Sequence, residues 1–168
     1  RLLLRPAGVC LGVLHLYLPQ LLRPAATRWR LALWGVATGV EAMPPPPRAG
    51  QVSLKPVSVA PPGFYAVAGF WVLDGLAVRV DMADRAARLV HGRRMEARAG
   101  DGLVRPDPGT MTSLGLGPPD FARLMRAFGF RGSVEHGFRY RAGGERRPRR
   151  RGRPDVASGP FAGLGAML

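Results

Sequence analysis

The side chains of this sequence best suited to chemistry are arginines, gathered toward the C-terminal end. Arg123, Arg126, Arg131, Arg139 and Arg141 fall in the stretch DPGTMTSLGLGPPDFARLMRAFGFRGSVEHGFRYR (107–141), and Arg146, Arg147, Arg149, Arg150, Arg151 and Arg153 follow at once. A guanidinium stays charged at any ordinary pH and presents a planar fork of donors that matches phosphate oxygens. Several together neutralise a polyanion and release its counterions without reading sequence. The chemistry implied is phosphate binding, with no bond made or broken.

No constellation for catalysis accompanies them. The only lysine, Lys55, precedes Pro56, so there is no Gly-x-x-x-x-Gly-Lys-Ser/Thr loop. There is no dinucleotide fingerprint, no paired carboxylate with a nucleophile and no serine in a nucleophile-elbow setting. Cys10 is alone, which excludes a disulfide or a cysteine-based zinc site within the chain, and His15, His91 and His136 are scattered. No residue is assigned a catalytic, cofactor-binding or metal-binding role.

Positioning the first arginine group requires a helix pair and a hairpin. Phe121, Leu124, Met125 and Phe128 are spaced i, i+3, i+4, i+7, the period of one buried helix face, which leaves Asp120, Arg123 and Arg126 outward. Pro118 or Pro119 suits the first turn, Asp120 favours the positive end of the helix dipole, and Gly129 closes the helix. Asp107 before Pro108 starts a shorter helix holding Met111 and Leu114, and Gly115 to Gly117 makes the turn. Helix, turn, helix and hairpin is the order of a winged-helix-like unit, whose second helix and hairpin can face a phosphate backbone. The same elements also build many small α+β cores.

The chain has 168 residues, 46% of them hydrophobic, and a formal charge of +14, a balance that points to nucleic acid, an anionic membrane or an acidic partner. Apart from Lys55 every basic residue other than histidine is arginine, and alanine, glycine and proline are also plentiful, so part of the arginine content is compatible with a genome-wide bias. Charge is densest in the last 28 residues, which carry +5. Arg141 to Arg153 sets seven arginines among glycine and proline against Glu145 alone, a composition expected to stay disordered. Pro160, Phe161, Leu164 and Leu168 then suit a short apolar motif that docks or folds back.

Toward the other end, the Leu- and Val-rich run Arg1 to Leu18 is too short and broken to span a bilayer, and Val13 to Leu18 within it is expected to be a buried strand ending at Pro19. A helix is expected over Pro24 to Glu41, with Trp29, Leu33, Val36 and Val40 on one buried face and Leu31 and Trp34 widening the apolar stripe toward burial on more than one side. Pro44 to Pro47 stiffens the chain as polyproline II. Gln51 to Val59 alternates like an edge strand, and Pro61 and Pro62 start a helical turn through Phe64, Tyr65 and Val67. FWVLDGLAVRV (70–80) reads as a hairpin with a type I′ turn at Asp74 and Gly75. Asp81 is expected to cap the next helix, with Asp84 completing a capping box, Met82, Ala86, Leu89 and Val90 inward, and Arg85, Arg88, Arg93, Arg94 and Arg98 outward. The chain opens on Arg1 and not Met, and is expected to be a piece of something longer.

Four stretches, LYLPQLLRPAATRWRLALW (16–34), GFYAVAGFWVLDGLAVRVDMADRAARL (63–89), TMTSLGLGPPDFARLMRAFGFR (110–131) and SGPFAGLGAML (158–168), together resemble the C-terminal accessory part of bacterial relatives of the mitochondrial RNA-degradosome helicase, in helicase superfamily two. Leu116 stands where that family often has cysteine. Ser158, Gly159, Pro160 and Phe161 lack the acidic residue usual before the family's Ser-Pro-Phe, and the lysine-containing end is missing. The resemblance implies a parent that hydrolyses ATP with magnesium and unwinds RNA-containing duplexes through RecA-like domains, none of whose catalytic residues match a position here.

The expectations are therefore an α+β chain: a strand and buried helix (1–43), a Pro-rich linker (44–62), an accessory domain with a winged-helix-like C-terminal half (63–141) and an Arg-rich tail with an apolar end (142–168). Its expected partners are RNA or an RNA-containing duplex and the RecA-like core of the parent, with no membrane and a cytoplasmic location. ATP and magnesium are implied for the parent alone, and no cofactor for this chain. The alternative is a stand-alone basic RNA- or DNA-binding or ribosome-associated protein.

Overall fold

A computed structural model describes residues 6–141. Residues 1–5 and 142–168 lie outside the described residues, so the tail arginines Arg146, Arg147, Arg149, Arg150, Arg151 and Arg153 and the apolar motif at Pro160 to Leu168 have no structural account.

The fold is α+β, built from two units whose strands and sheets share one order. After a small hairpin, β1 (Cys10–Leu11) with β2 (Leu16–Tyr17), the first unit runs α1 (Pro24–Thr38), β3 (Ser53–Leu54), α2 (Phe64–Val67), β4 (Phe70–Leu73) and β5 (Leu76–Arg79). The second runs α3 (Val80–Ala97), β6 (Leu103–Val104), α4 (Pro108–Leu114), α5 (Pro118–Ala127), β7 (Phe130–Ser133) and β8 (Gly137–Tyr140). Each unit closes a three-stranded antiparallel sheet with its last strand in the middle, β3-β5-β4 and β6-β8-β7. In the second unit the long helix, edge strand, helix pair and hairpin, in that strand order, make a winged-helix-like arrangement. The first unit has one short helix where the second has the α4–α5 pair.

The correspondence extends to single hydrogen bonds. Gly69 and Gly129 both sit at positive φ, +91° and +87°, where a Cβ would be strained. The Gly69 carbonyl accepts from the Val80 N–H and the Gly129 carbonyl from the Arg141 N–H, both at 3.0 Å. Phe70 and Phe130 follow the glycines and begin the two hairpins.

Strand pairing decides which faces are buried. Opposite residues in a ladder share a face, so Phe70, Val72, Ala77 and Arg79 line one side of the first sheet, and Trp71, Leu73, Leu76 and Val78 the other. The Phe70 and Ala77 side packs on Leu31, Phe64 and Ala68. The Trp71 and Val78 side packs on the second unit, with Phe121, Leu124, Met125 and Phe128 of the α5 region. Trp71 stacks on Phe128 with ring centres 6.1 Å apart, and the Ser53 hydroxyl donates to the Leu114 carbonyl at 2.9 Å, capping α4 from the first sheet. The first sheet is thus a middle layer, covered on both faces.

The helix pair forms as its spacing predicts. Asp107 caps α4 by accepting from the Thr110 N–H at 3.1 Å, Gly115 ends it in the left-handed region, and α5 buries Phe121, Leu124 and Met125. The edge strand expected over Gln51 to Val59 forms as the shorter β3.

Several other expectations are corrected. Val13 to Leu18 is no buried strand: it forms a turn and β2, with Val13 and Leu16 exposed. In α1 the expected buried face lies outward, with Trp29 71%, Leu33 67% and Val36 86% exposed. The helix packs through Leu31, and also through Thr27 and Gly35, with Met43 beside Gly35. The Asp74–Gly75 turn is not type I′, which needs two left-handed residues; only Gly75 is at positive φ. Asp81 is no N-cap, since α3 begins one residue earlier and its carboxylate pairs with Arg79 at 2.7 Å. Asp84 completes no capping box: fully buried, it accepts from the Leu14 N–H at 2.9 Å and pairs with Arg88 at 3.1 Å, fastening the β1–β2 turn to α3. Leu89, expected inward on α3, is 47% exposed, while Ala83 and Ala87 are buried beside Ala86 and Val90.

Candidate nucleic-acid interface

The second sheet is built like the first but has one open face. Phe130, Phe138 and Tyr140 turn inward, with Val104 opposite Phe138, while Arg131 stands opposite Arg139 on the other side. Leu103 pairs with Arg139, so the outward face continues across β6, and by strand alternation Arg105 and Arg141 extend it beyond the strand ends. Arg105, Arg131, Arg139 and Arg141 are all exposed. From the glycines and the ladder registers, Arg131 corresponds to Trp71 and Arg139 to Val78. Where the first sheet is covered it carries apolar side chains, and where the second is open it carries arginines.

The guanidinium groups on this face are held by backbone carbonyls. Arg131 Nη1 donates to the carbonyls of Phe130 and Arg126 at 3.3 and 3.4 Å, and Arg139 Nη2 to the Asp101 carbonyl at 3.3 Å. Each guanidinium has five N–H donors, so most remain available. Among the described residues neither has a carboxylate within 4 Å, and the same holds for Arg126 and Arg141. Such positive charge keeps most of its attraction for a phosphate, although the Asp101 carboxylate attracts Arg139 as well as Arg105.

Arg126 lies on the exposed side of α5, its Nε donating to the Ala122 carbonyl at 3.3 Å, and the Arg131 hydrogen bond to its own carbonyl brings it beside the sheet edge. Arg123 is arranged differently. Its Nη1 is 2.8 Å from Asp120, and the guanidinium lies against Gly75 in the β4–β5 turn, on the side of the first unit. The structure therefore groups Arg126, Arg131, Arg139 and Arg141 and sets Arg123 apart.

Arg105 was missed by sequence reasoning, although its alternation with Val104 after a glycine is the signal of an edge-strand end. It pairs with Asp101 at 2.7 Å, and its stem lies over Gly137. The Asp101 carboxyl is held below its usual range by the Leu103 N–H, then by the Arg105 hydrogen bond, so it stays ionised and offsets part of the charge at this corner. Nearby, Arg94 of α3 covers the Tyr140 ring at 3.5 Å, and Arg93 pairs loosely with Asp107 at 3.8 Å. The α3 arginines thus continue the basic surface around the edge of the sheet.

Among the described residues no cluster of three or more His, Cys, Asp or Glu could hold a metal ion, and no helix is long and apolar enough to cross a membrane. No family model matches the sequence, and comparisons with curated proteins and with solved structures found no match.

Proposed function

We propose that this chain is the C-terminal, RNA-contacting accessory part of an ATP-dependent helicase, and that its own role is binding. The observation that carries the reading is the open face of the second sheet, where Arg131, Arg139 and Arg141 stand exposed without carboxylate partners beside the helix pair. Phosphates are the complementary ligand for such a face, and backbone contacts of this kind position a strand without reading its bases. The tail arginines add a second, sequence-independent phosphate contact. In this reading ATP and magnesium act in the RecA-like core of the parent, in the cytoplasm, and the exposed Trp29, Leu33 and Val36 of α1 form an apolar face that the core covers.

The test is fluorescence anisotropy with labelled single-stranded and duplex RNA at about 50 mM salt. Saturable binding that weakens steeply with salt is expected. Failure to bind either RNA at that salt overturns the reading. Binding to RNA with no affinity for a purified RecA-like core would favour the stand-alone alternative.

A further inference from the structure

A second phosphate site is indicated in the first unit, away from the arginine sheet. A recess of about 290 Å³ lies between the start of α1, the loop after the proline run and the end of β5. Three arginines line it, Arg28, Arg48 and Arg79, and no carboxylate does. Arg79 is clamped by Asp81 through two hydrogen bonds, 2.7 and 2.9 Å, so its position is fixed and its charge largely matched. Arg28 and Arg48 are exposed, and among the described residues neither has a side-chain hydrogen bond or a carboxylate within 4 Å.

The loop that carries Arg48 is built to stay in place. Pro46 and Pro47 fix the backbone ahead of it. The Gln51 N–H donates to the Arg48 carbonyl at 3.0 Å, while the Gln51 side-chain oxygen accepts from the Arg48 N–H at 3.1 Å. Gly50, at φ +80°, supplies the left-handed residue the turn needs. Arg28 and Arg48, neither paired with a carboxylate among the described residues, thus line a concave site that the apolar Phe70 and Ala68 also line.

We infer that the recess bounded by Arg28, Arg48 and Arg79 binds a terminal phosphate, that of a nucleotide or of a nucleic-acid strand end. A phosphomonoester carries more charge than a backbone diester and can enter a recess end-on, and guanidinium groups recognise it with paired charge-assisted hydrogen bonds. The site does not depend on RNA binding at the second sheet, and the two are scored separately.

The experiment is an amide NMR titration of the whole chain with inorganic phosphate, with AMP, and with a short RNA bearing either a 5′-phosphate or a 5′-hydroxyl. Phosphate is expected to shift the Thr27, Gly50 and Gln51 amides. The double variant Arg28→Ala, Arg48→Ala is expected to weaken phosphate binding about tenfold, whereas Arg131→Ala with Arg139→Ala leaves it unchanged. Preference for AMP would identify a free nucleotide as the source, and preference for 5′-phosphorylated RNA a strand end. The inference is overturned if phosphate shifts no amide around the recess, or if the shifts persist unchanged in the Arg28 and Arg48 double variant while its amide spectrum remains that of a folded chain.

Discussion

Arg131 and Arg139 face one another across the β7–β8 ladder in the positions that Trp71 and Val78 hold across β4–β5. The two sheets share a topology, yet one outer face is packed against a neighbour and the other is open. Burial of each position accounts for its residue type, since apolar area is stabilising only where water is removed and an arginine is tolerated only where it is not.

Equivalent positions should therefore tolerate change oppositely. Val78→Arg places an unpaired charge at a fully buried site and should cost about 3–5 kcal/mol. Arg131→Ala should shift stability by no more than about 0.5 kcal/mol. Urea unfolding of both variants checks the pair.

On α1, Leu31→Ala should destabilise by about 2–5 kcal/mol, because Leu31 is buried among Phe64 and Ala68. Val36→Ala, on the face expected to be buried from its spacing, should fall within about 0.5 kcal/mol. A large loss at Val36 in thermal denaturation would mean that this face is covered in solution.

Asp84 should act as the fastener of the N-terminal hairpin. Asp84→Ala leaves the Leu14 N–H without its acceptor and should cost about 1–3 kcal/mol. Gly12→Ala should act through the same hydrogen bond, because an added Cβ would fall on the Asp84 carboxylate. Hydrogen exchange at Leu14 should quicken in both.

Stability should fall as the solution is acidified through the histidine range. His91 lies beside Phe130 and Tyr140, and burial, then the Arg94 charge, lowers its pKa from 6.5. Burial also lowers that of His15, opposed in part by Asp84. A histidine with a lowered pKa binds its proton more tightly when unfolded. Its contribution is complete above 6.5 and is lost as pH falls through the folded value. Melting temperatures between about pH 8 and pH 5 should decline, and His91→Gln should flatten the decline.

The parts legible in the sequence were those set by local signals. The α4–α5 pair followed from Asp107, Gly115 and the spacing of Phe121 to Phe128, and the first hairpin from Asp74–Gly75 between apolar runs. What escaped was set by tertiary partners. The stripe of Trp29, Leu33 and Val36 has a buried helix's period, but it is the opposite side, with Leu31 among Phe64 and Ala68, that meets the core. Asp84 resembles a capping residue locally, and only the return of Leu14 from a distant hairpin explains its burial. The repeat of the two units was visible only in the paired Gly-Phe steps, Gly69–Phe70 and Gly129–Phe130, since the face that differs between them, Trp71 and Val78 against Arg131 and Arg139, hides the likeness.

The central claim is that the open face of the second sheet holds a polyanion, and the salt dependence of RNA binding by the chain and by its Arg131→Ala, Arg139→Ala variant tests it most directly. The account predicts that the variant keeps its melting temperature while the slope of log affinity against log salt becomes shallower by about two, one for each phosphate no longer neutralised. A variant with an unchanged slope and unchanged affinity would contradict it.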